Sequence, residues 1–345
     1  MSDFLLAAGA ARVYVQSRRD EGTDFETLER GKTLDLALRQ PRAPGSIKSF
    51  LFPVKERVAV YPAADYDWRP EVNPDNPAVV AGLRACDLAA AKILDAVFIQ
   101  EDYVDPFYSL RREGLSLVTV DCVEPAEQCF CNLLDGKPYA TEGFDVNLTP
   151  VEGGYLVEVG SDKGKEMVLA AKDLFREATD EQLAERERVR EAATRRLAEQ
   201  NDRFALGESL QKIVATAIED ELWLELAAGC VECGSCTAIC PTCHCFQLYD
   251  QPSTHGAGPN ERVKSWDSCV FASYSRMAGV GGMKPNPRPE LRQRFANRFL
   301  HKFAWFPENM GLLGCVGCGR CTEACLGGED LRELLKKLET VEARD

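Results

Sequence analysis

Short apolar runs bounded by turn residues dominate the first half of the chain, and helical periodicity dominates the second. Residues 57–61 (RVAVY), 79–83 (VVAGL) and 115–120 (LSLVTV) are compact enough and rich enough in β-branched residues to predict strands. Between the second and third, residues 88–98 carry apolar positions at helical spacing, with Asp87 placed to cap the start. Residues 144–149 and 155–159 flank Gly153-Gly154 and predict a hairpin. Strand, helix, strand, hairpin is the order of a crossover unit with an antiparallel annex. Residues 180–202 are charged helix formers and predict a solvated connecting helix. Residues 208–228 place Leu210, Ile213, Val214, Ala217, Ile218 and Leu222 on one face, which predicts an amphipathic helix running into a cysteine cluster. A loop over 279–289 and a final helix over 331–341 complete the pattern.

Charge narrows the function. Forty-one basic and 55 acidic residues leave a formal charge of −14 over 345 residues. Phosphate contacts need a basic footprint, so a nucleic-acid partner is not expected. No run of 18 apolar residues occurs, so no membrane span is expected. Asp3 and the lack of a basic region before the short apolar stretch make a poor export signal, and a cytoplasmic location is expected.

The 15 cysteines carry the chemistry. An odd number cannot all pair within one chain, and dense cysteines in a large chain without an export signal point to metal or redox ligands. Only His244, His255 and His301 are present, which argues against a histidine-built centre. Two segments share the spacing C-x2-C-x2-C-x3-C: Cys230, Cys233, Cys236, Cys240, and Cys315, Cys318, Cys321, Cys325. This is the spacing by which a chain wraps a [4Fe–4S] cube. Three thiolates two residues apart reach three corners from a tight turn. Gly234, Gly317 and Gly319 let that turn curl around the inorganic core and aim amides at its sulfurs. The fourth cysteine starts a new direction, enforced after Cys240 by Pro241, and reaches the other cluster. The resulting assignment is Cys230, Cys233, Cys236 and Cys325 for one cube, and Cys315, Cys318, Cys321 and Cys240 for the other. Zinc, which prefers two C-x2-C pairs with a longer spacer, fits this run poorly. Leu326 stands where proline is usual after the second motif.

Seven cysteines remain. Cys86, Cys122, Cys129 and Cys131 are candidates for a third cluster, and Cys243, Cys245 and Cys269 for a further site lacking an evident fourth ligand. Buried thiols acting as small hydrophobes, zinc, or a redox-active dithiol are the other readings. His244, between two cysteines, is read as a neighbour of the site rather than a ligand. Arg288, Arg292, Arg294, Arg298 and Lys302 form a basic stretch in an acidic protein, read first as a solvated or salt-bridged helix face. Compensation of cluster charge and docking to an acidic partner are the sharper alternatives. No GxGxxG fingerprint, complete phosphate loop, HExxH or GxSxG occurs, so neither FAD nor NAD is expected on this chain.

The segments CVECGSCTAICPTCHCFQLYD (230–250), WDSC (266–269), NPRPELRQRF (286–295), HKF (301–303) and CVGCGRCTEAC (315–325) resemble the iron–sulfur β subunit of soluble sulfhydrogenase-type [NiFe] hydrogenases, and the related A-type subunit of anaerobic sulfite reductase. RACDLAAAKILDAVF (84–98), DPFYSLRRE (105–113) and CVEPAEQCFC (122–131) resemble the N-terminal domain of the same family. The resemblance covers most of the chain, with the motifs in the same order. It implies an electron-transfer subunit between an FAD/NAD(P)-binding γ-type subunit and a catalytic module such as a [NiFe] hydrogenase or a heterodisulfide reductase.

The expected architecture is α+β: a mixed α/β domain over 1–178, then an α-helical ferredoxin-like domain over 179–345 with two [4Fe–4S] clusters. The expected role is a non-catalytic relay. Two alternatives stay open: reduction of sulfite or another sulfur compound at an N-terminal site, and a zinc-stapled assembly scaffold.

Overall fold

The computed structural model describes residues 1–20, 22–61, 69–100, 102–218, 221–252, 260–279 and 284–341. His255 and residues 280–283 of the expected loop lie outside the described residues. The chain forms two compact units, Met1–Phe52 with Trp68–Gln200, and Pro53–Asp67 with Asn201–Asp345.

The first unit is built on a six-stranded sheet of β1 (Arg12–Arg19), β2 (Gly22–Thr27), β4 (Ala78–Leu83), β5 (Leu115–Val120), β6 (Val146–Val151) and β7 (Gly154–Val159), in the order β2-β1-β4-β5-β6-β7. The four central strands are parallel, and β2 and β7 close the edges antiparallel. Every residue of β4 and β6 is buried, as strands covered on both faces require. Helix Ala85–Phe98 follows β4 and makes the expected crossover. Its start differs from expectation. Arg84 is the cap, and Asp87 sits three residues in, accepting from the Arg84 N–H at 3.0 Å as the far half of a capping box. The hairpin β6–β7 forms as expected, but Val151 pairs with Gly154, so the turn residues are Glu152 and Gly153 and Gly154 opens β7.

The helix expected to connect two domains, Asp180–Asn201, packs through most of its length with the first unit. Arg190 donates to Asp121 at 2.7 Å and pairs with Glu158. Arg186 reaches Glu158 at 3.0 Å, and Gln200 bonds the Cys129 carbonyl at 2.7 Å. These contacts, with Ala193 and Leu197 buried, carry the helix beyond the expected boundary at 178/179.

The second unit holds short helices around both cysteine motifs and a three-stranded antiparallel sheet, β3 (Lys55–Tyr61), β9 (Asn260–Trp266) and β8 (Phe246–Gln251), in that order. Residues 57–61 thus form a strand as predicted, but in this sheet and not in that of the first unit. The single amphipathic helix expected over 208–228 is two, Leu210–Thr216 and Leu222–Leu226. Trp223 of the second packs its ring on Phe299 with centroids 5.4 Å apart. Helix Leu291–Leu300 continues through a π-helical turn, His301–Trp305, into Phe306–Met310 and stops at left-handed Gly311. The last helix runs Leu331–Leu338, shorter than expected, with Leu331, Leu334, Leu335 and Leu338 buried at helical spacing.

Candidate metal centre

Each cysteine motif folds into the same local shape. Gly234 and Gly319, with φ of +72° and +69°, start the short helices Ser235–Ala238 and Arg320–Glu323. Two residues earlier, Glu232 and Gly317 take left-handed backbone at φ +55° and +63°. The Gly317 amide points at Cys315 Sγ from 3.5 Å, and the Glu232 amide makes the matching bond to Cys230. The Glu329 N–H lies 3.4 Å from Cys325 Sγ, and the Leu326 and Ser235 amides bond Cys233. Amides aimed at sulfur stabilise thiolate charge, as cluster ligands require. At Gly234 the turn also needs space, because a Cβ there would stand 2.5 Å from Phe271 Cζ.

The last cysteine of the second motif lies with the first motif. Cys230, Cys233, Cys236 and Cys325 line one cavity, walled by Val270, Phe295 and Leu334, with Arg298 at its side. Cys321 of the second motif borders the same cavity. Cys240 lies within electrostatic reach of Cys315 and Cys321, and Cys318 of Cys321. Burial pushes Cys315 up to about 12 and Cys321 up to about 11, so these thiols release protons as they become metal ligands. Two groups of four soft thiolates, one around a shared cavity, match the donor set of [4Fe–4S] clusters. Among the described residues, no three His, Cys, Asp or Glu side chains gather closely enough for a single ion.

The basic stretch departs from its first reading. Arg294, Arg298 and Lys302 are only 3, 6 and 5% exposed. Spaced four apart, they line the buried side of the helix, where Arg294 pairs with Glu232 and Arg298 and Lys302 lie among the cysteines. Arg292 fits the salt-bridged surface reading, paired with Glu290 at 2.6 Å. Lys302 Nζ lies 3.5 Å from Cys240 Sγ and donates to Thr242 Oγ1 at 2.8 Å and the Gly314 carbonyl at 2.7 Å. Burial opposes its charge, but Cys240, Cys243 and Cys315 overcome that and hold the ammonium above its ordinary range. Arg298 is likewise buried and held charged by Cys236, Cys321, Cys243 and Cys240, from both motifs. The Cys243 thiol bonds Cys240 and, with Lys302, brings the Cys240 thiol well down despite burial.

A second hydrogen bond joins thiols at the end of the small sheet. Cys269 bonds Cys245, which comes down to about 6 with help from the Tyr274 hydroxyl and Lys302, while Cys269 itself is driven up. His244 contacts a backbone carbonyl and a second imidazole. Its Nδ1 lies 3.0 Å from the Thr242 carbonyl, and its ring meets that of His301 at 5.5 Å. In the first unit, Cys122 and Cys129 come within electrostatic reach of each other. Burial lifts Cys122 to about 11, opposed by Arg84. Cys86 lies in the first turn after β4, and Cys131 opens the turn Cys131–Leu134.

The 4Fe-4S dicluster domain family matches residues 229–328, the span that contains both motifs and the buried cations. The sulfhydrogenase 2 subunit beta of Pyrococcus furiosus is 35% identical over 255 residues, covering 74% of this chain and 72% of that subunit. This chain belongs to the sulfhydrogenase β-subunit family. No solved structure matches it. The iron–sulfur character of this sulfhydrogenase β-type chain therefore rests on its motifs and on the dicluster match together. Among the described residues, no helix is long and apolar enough to cross a membrane.

Sequence reasoning left Glu232, Thr242 and Tyr274 unassigned and placed Arg294, Arg298 and Lys302 first on the surface. The available signal was the four-residue spacing of the last three, alternating with Phe295, Phe299 and Phe303.

Proposed function

We propose that this chain is an electron relay within a multisubunit sulfhydrogenase-like complex, holding two [4Fe–4S] clusters and no substrate-processing site. Cys230, Cys233, Cys236 and Cys325 hold one, and Cys315, Cys318, Cys321 and Cys240 the other. The observation that carries the reading is the cavity shared by three cysteines of the first motif and the last cysteine of the second. A bound [4Fe–4S] cluster supplies a one-electron couple with little rearrangement. The chain contributes the rest. Gly234 and Gly319 set the turns, backbone amides face the sulfurs, and Arg298 faces cysteines of both motifs. Lys302 offsets negative charge at Cys240.

The relative's name, sulfhydrogenase 2 subunit beta, supports a place beside other subunits. In this reading the partners are an FAD/NAD(P)-binding subunit on one side and a hydrogenase-type or heterodisulfide-reductase-like catalytic subunit on the other.

Iron and sulfide analysis of anaerobically purified chain tests the proposal. About eight irons per chain are expected at full occupancy. Cys325→Ser is expected to perturb the cluster of the first motif, and Cys240→Ser that of the second, by electron paramagnetic resonance. An iron-poor, zinc-containing chain would overturn the relay. So would turnover of a sulfur compound by the isolated chain with a chemical electron donor.

A further inference from the structure

Cys245 and Cys269 stand outside both groups of four, and nothing in the relay uses them. Cys245 immediately precedes β8, and Cys269 follows β9 by three residues. The ladder pairs Phe246 with Trp266, and the Asp267 N–H donates to the Cys245 carbonyl at 3.0 Å. The two cysteines therefore leave the same end of one antiparallel pair, and their thiols are hydrogen-bonded to each other.

We propose that Cys245 and Cys269 are a redox-active dithiol, separate from the cluster sites, that closes to a disulfide by exchange with a low-molecular-weight disulfide. A disulfide needs only two side chains brought within reach, as the shared end of this ladder does. Among the described residues, no third His, Cys, Asp or Glu side chain joins them closely enough to hold an ion. The two sulfurs differ in access. Cys245 is half-buried and Cys269 only 7% exposed, the division of an attacking and a resolving thiol. Tyr274 bonds Cys245, and the buried cations Arg298 and Lys302 lie near the pair, an environment that favours thiolate.

The exchange balances. The Cys245 thiolate attacks one sulfur of the small disulfide, whose S–S bond breaks. One small thiolate leaves, and a mixed disulfide remains on Cys245. Cys269 then attacks the Cys245 sulfur and expels the second small thiolate. Two electrons pass from the protein dithiol to the small disulfide, and the two thiol protons end on the two released thiols.

Peptide mapping of full-length, cluster-loaded protein after anaerobic treatment with hydroxyethyl disulfide tests this. The expected product is a Cys245–Cys269 linked peptide that dithiothreitol reopens, with iron content unchanged. Cys269→Ser is expected to trap hydroxyethanethiol on Cys245. Recovery of both cysteines as free, alkylated thiols after the treatment would overturn the proposal. So would loss of iron from Cys245→Ser or Cys269→Ser relative to wild type, because the pair would then be metal ligands. The wild-type mapping stands even if a variant fails to fold.

Discussion

The carboxylate of Glu232 meets the guanidinium of Arg294 at 2.7 Å, on a residue whose backbone φ is +55°. In the second motif the equivalent position is Gly317, at φ +63°, which takes that backbone without strain. The first motif thus holds a side chain in a glycine conformation and ties it to a buried arginine. Arg294 also donates to the carbonyls of Val270 at 2.9 Å, Arg288 at 3.1 Å and Pro289 at 2.6 Å. Arg294→Met should leave these acceptors unpaired and cost about 2–3 kcal/mol in denaturant unfolding. Glu232→Gly should stay within about 1 kcal/mol of wild type, because relieved strain offsets a partly exposed ion pair. A larger loss from Glu232→Gly than from Arg294→Met would refute this account.

Lys302 Nζ lies 3.5 Å from Cys240 Sγ, a proposed cluster ligand. Reduction adds negative charge, which a buried ammonium stabilises. Lys302→Met should lower the midpoint potential of the second-motif cluster by on the order of 50–100 mV, or roughly 1–2 kcal/mol for one electron. Redox titration followed by paramagnetic resonance reads the shift. An unchanged midpoint would assign Lys302 to packing alone.

Gly234 and Gly153 separate steric from conformational need. Both have positive φ, +72° and +75°, but a Cβ on Gly234 would strike Phe271 at 2.5 Å, while one on Gly153 meets nothing within 4 Å. Gly234→Ala should lose iron from the first-motif site. Gly153→Ala should keep its iron and lose about 1 kcal/mol of stability. Equal iron content in the two variants would show that the turn tolerates a side chain.

His301 sets a pH dependence. Burial first, then His244 and Lys302, lower its imidazole to about 4 from the usual 6.5. Above pH 7 both folded and unfolded chains hold it neutral. Below 6.5 the unfolded chain takes up a proton that the folded chain refuses until about pH 4, so stability falls as pH falls through this window. The loss should reach about 2 kcal/mol by pH 5. Denaturant midpoints of wild type and His301→Gln at pH 7 and pH 5 check it: the variant should lose less.

Much of the first unit was legible because its signals are local. β5, the helix after β4 and the β6–β7 hairpin follow from short-range periodicity and turn chemistry. The strand at 55–61 was legible as a strand but not in its pairing, since its partner β9 lies some two hundred residues later. β1, β2 and β9 are rich in charged and polar residues, and β8 in exposed ones, so their apolar pattern is weak.

By itself, the sequence determined that this protein carries two copies of a cluster-wrapping motif, because three cysteines two residues apart and the glycines between them encode a local turn. It also determined the mixed α/β character of the first half, through the same short-range physics. Only the tertiary structure decided which cysteines share a cavity, which thiols touch, and where the cations go. Arg294, Arg298 and Lys302 look like a solvated face when read along the chain. Arg298 and Lys302 become buried counter-charge for the cysteines, and Arg294 the buried partner of Glu232, once the helix that carries them is packed between distant segments, where low dielectric makes each charge count and no single stretch of sequence records it.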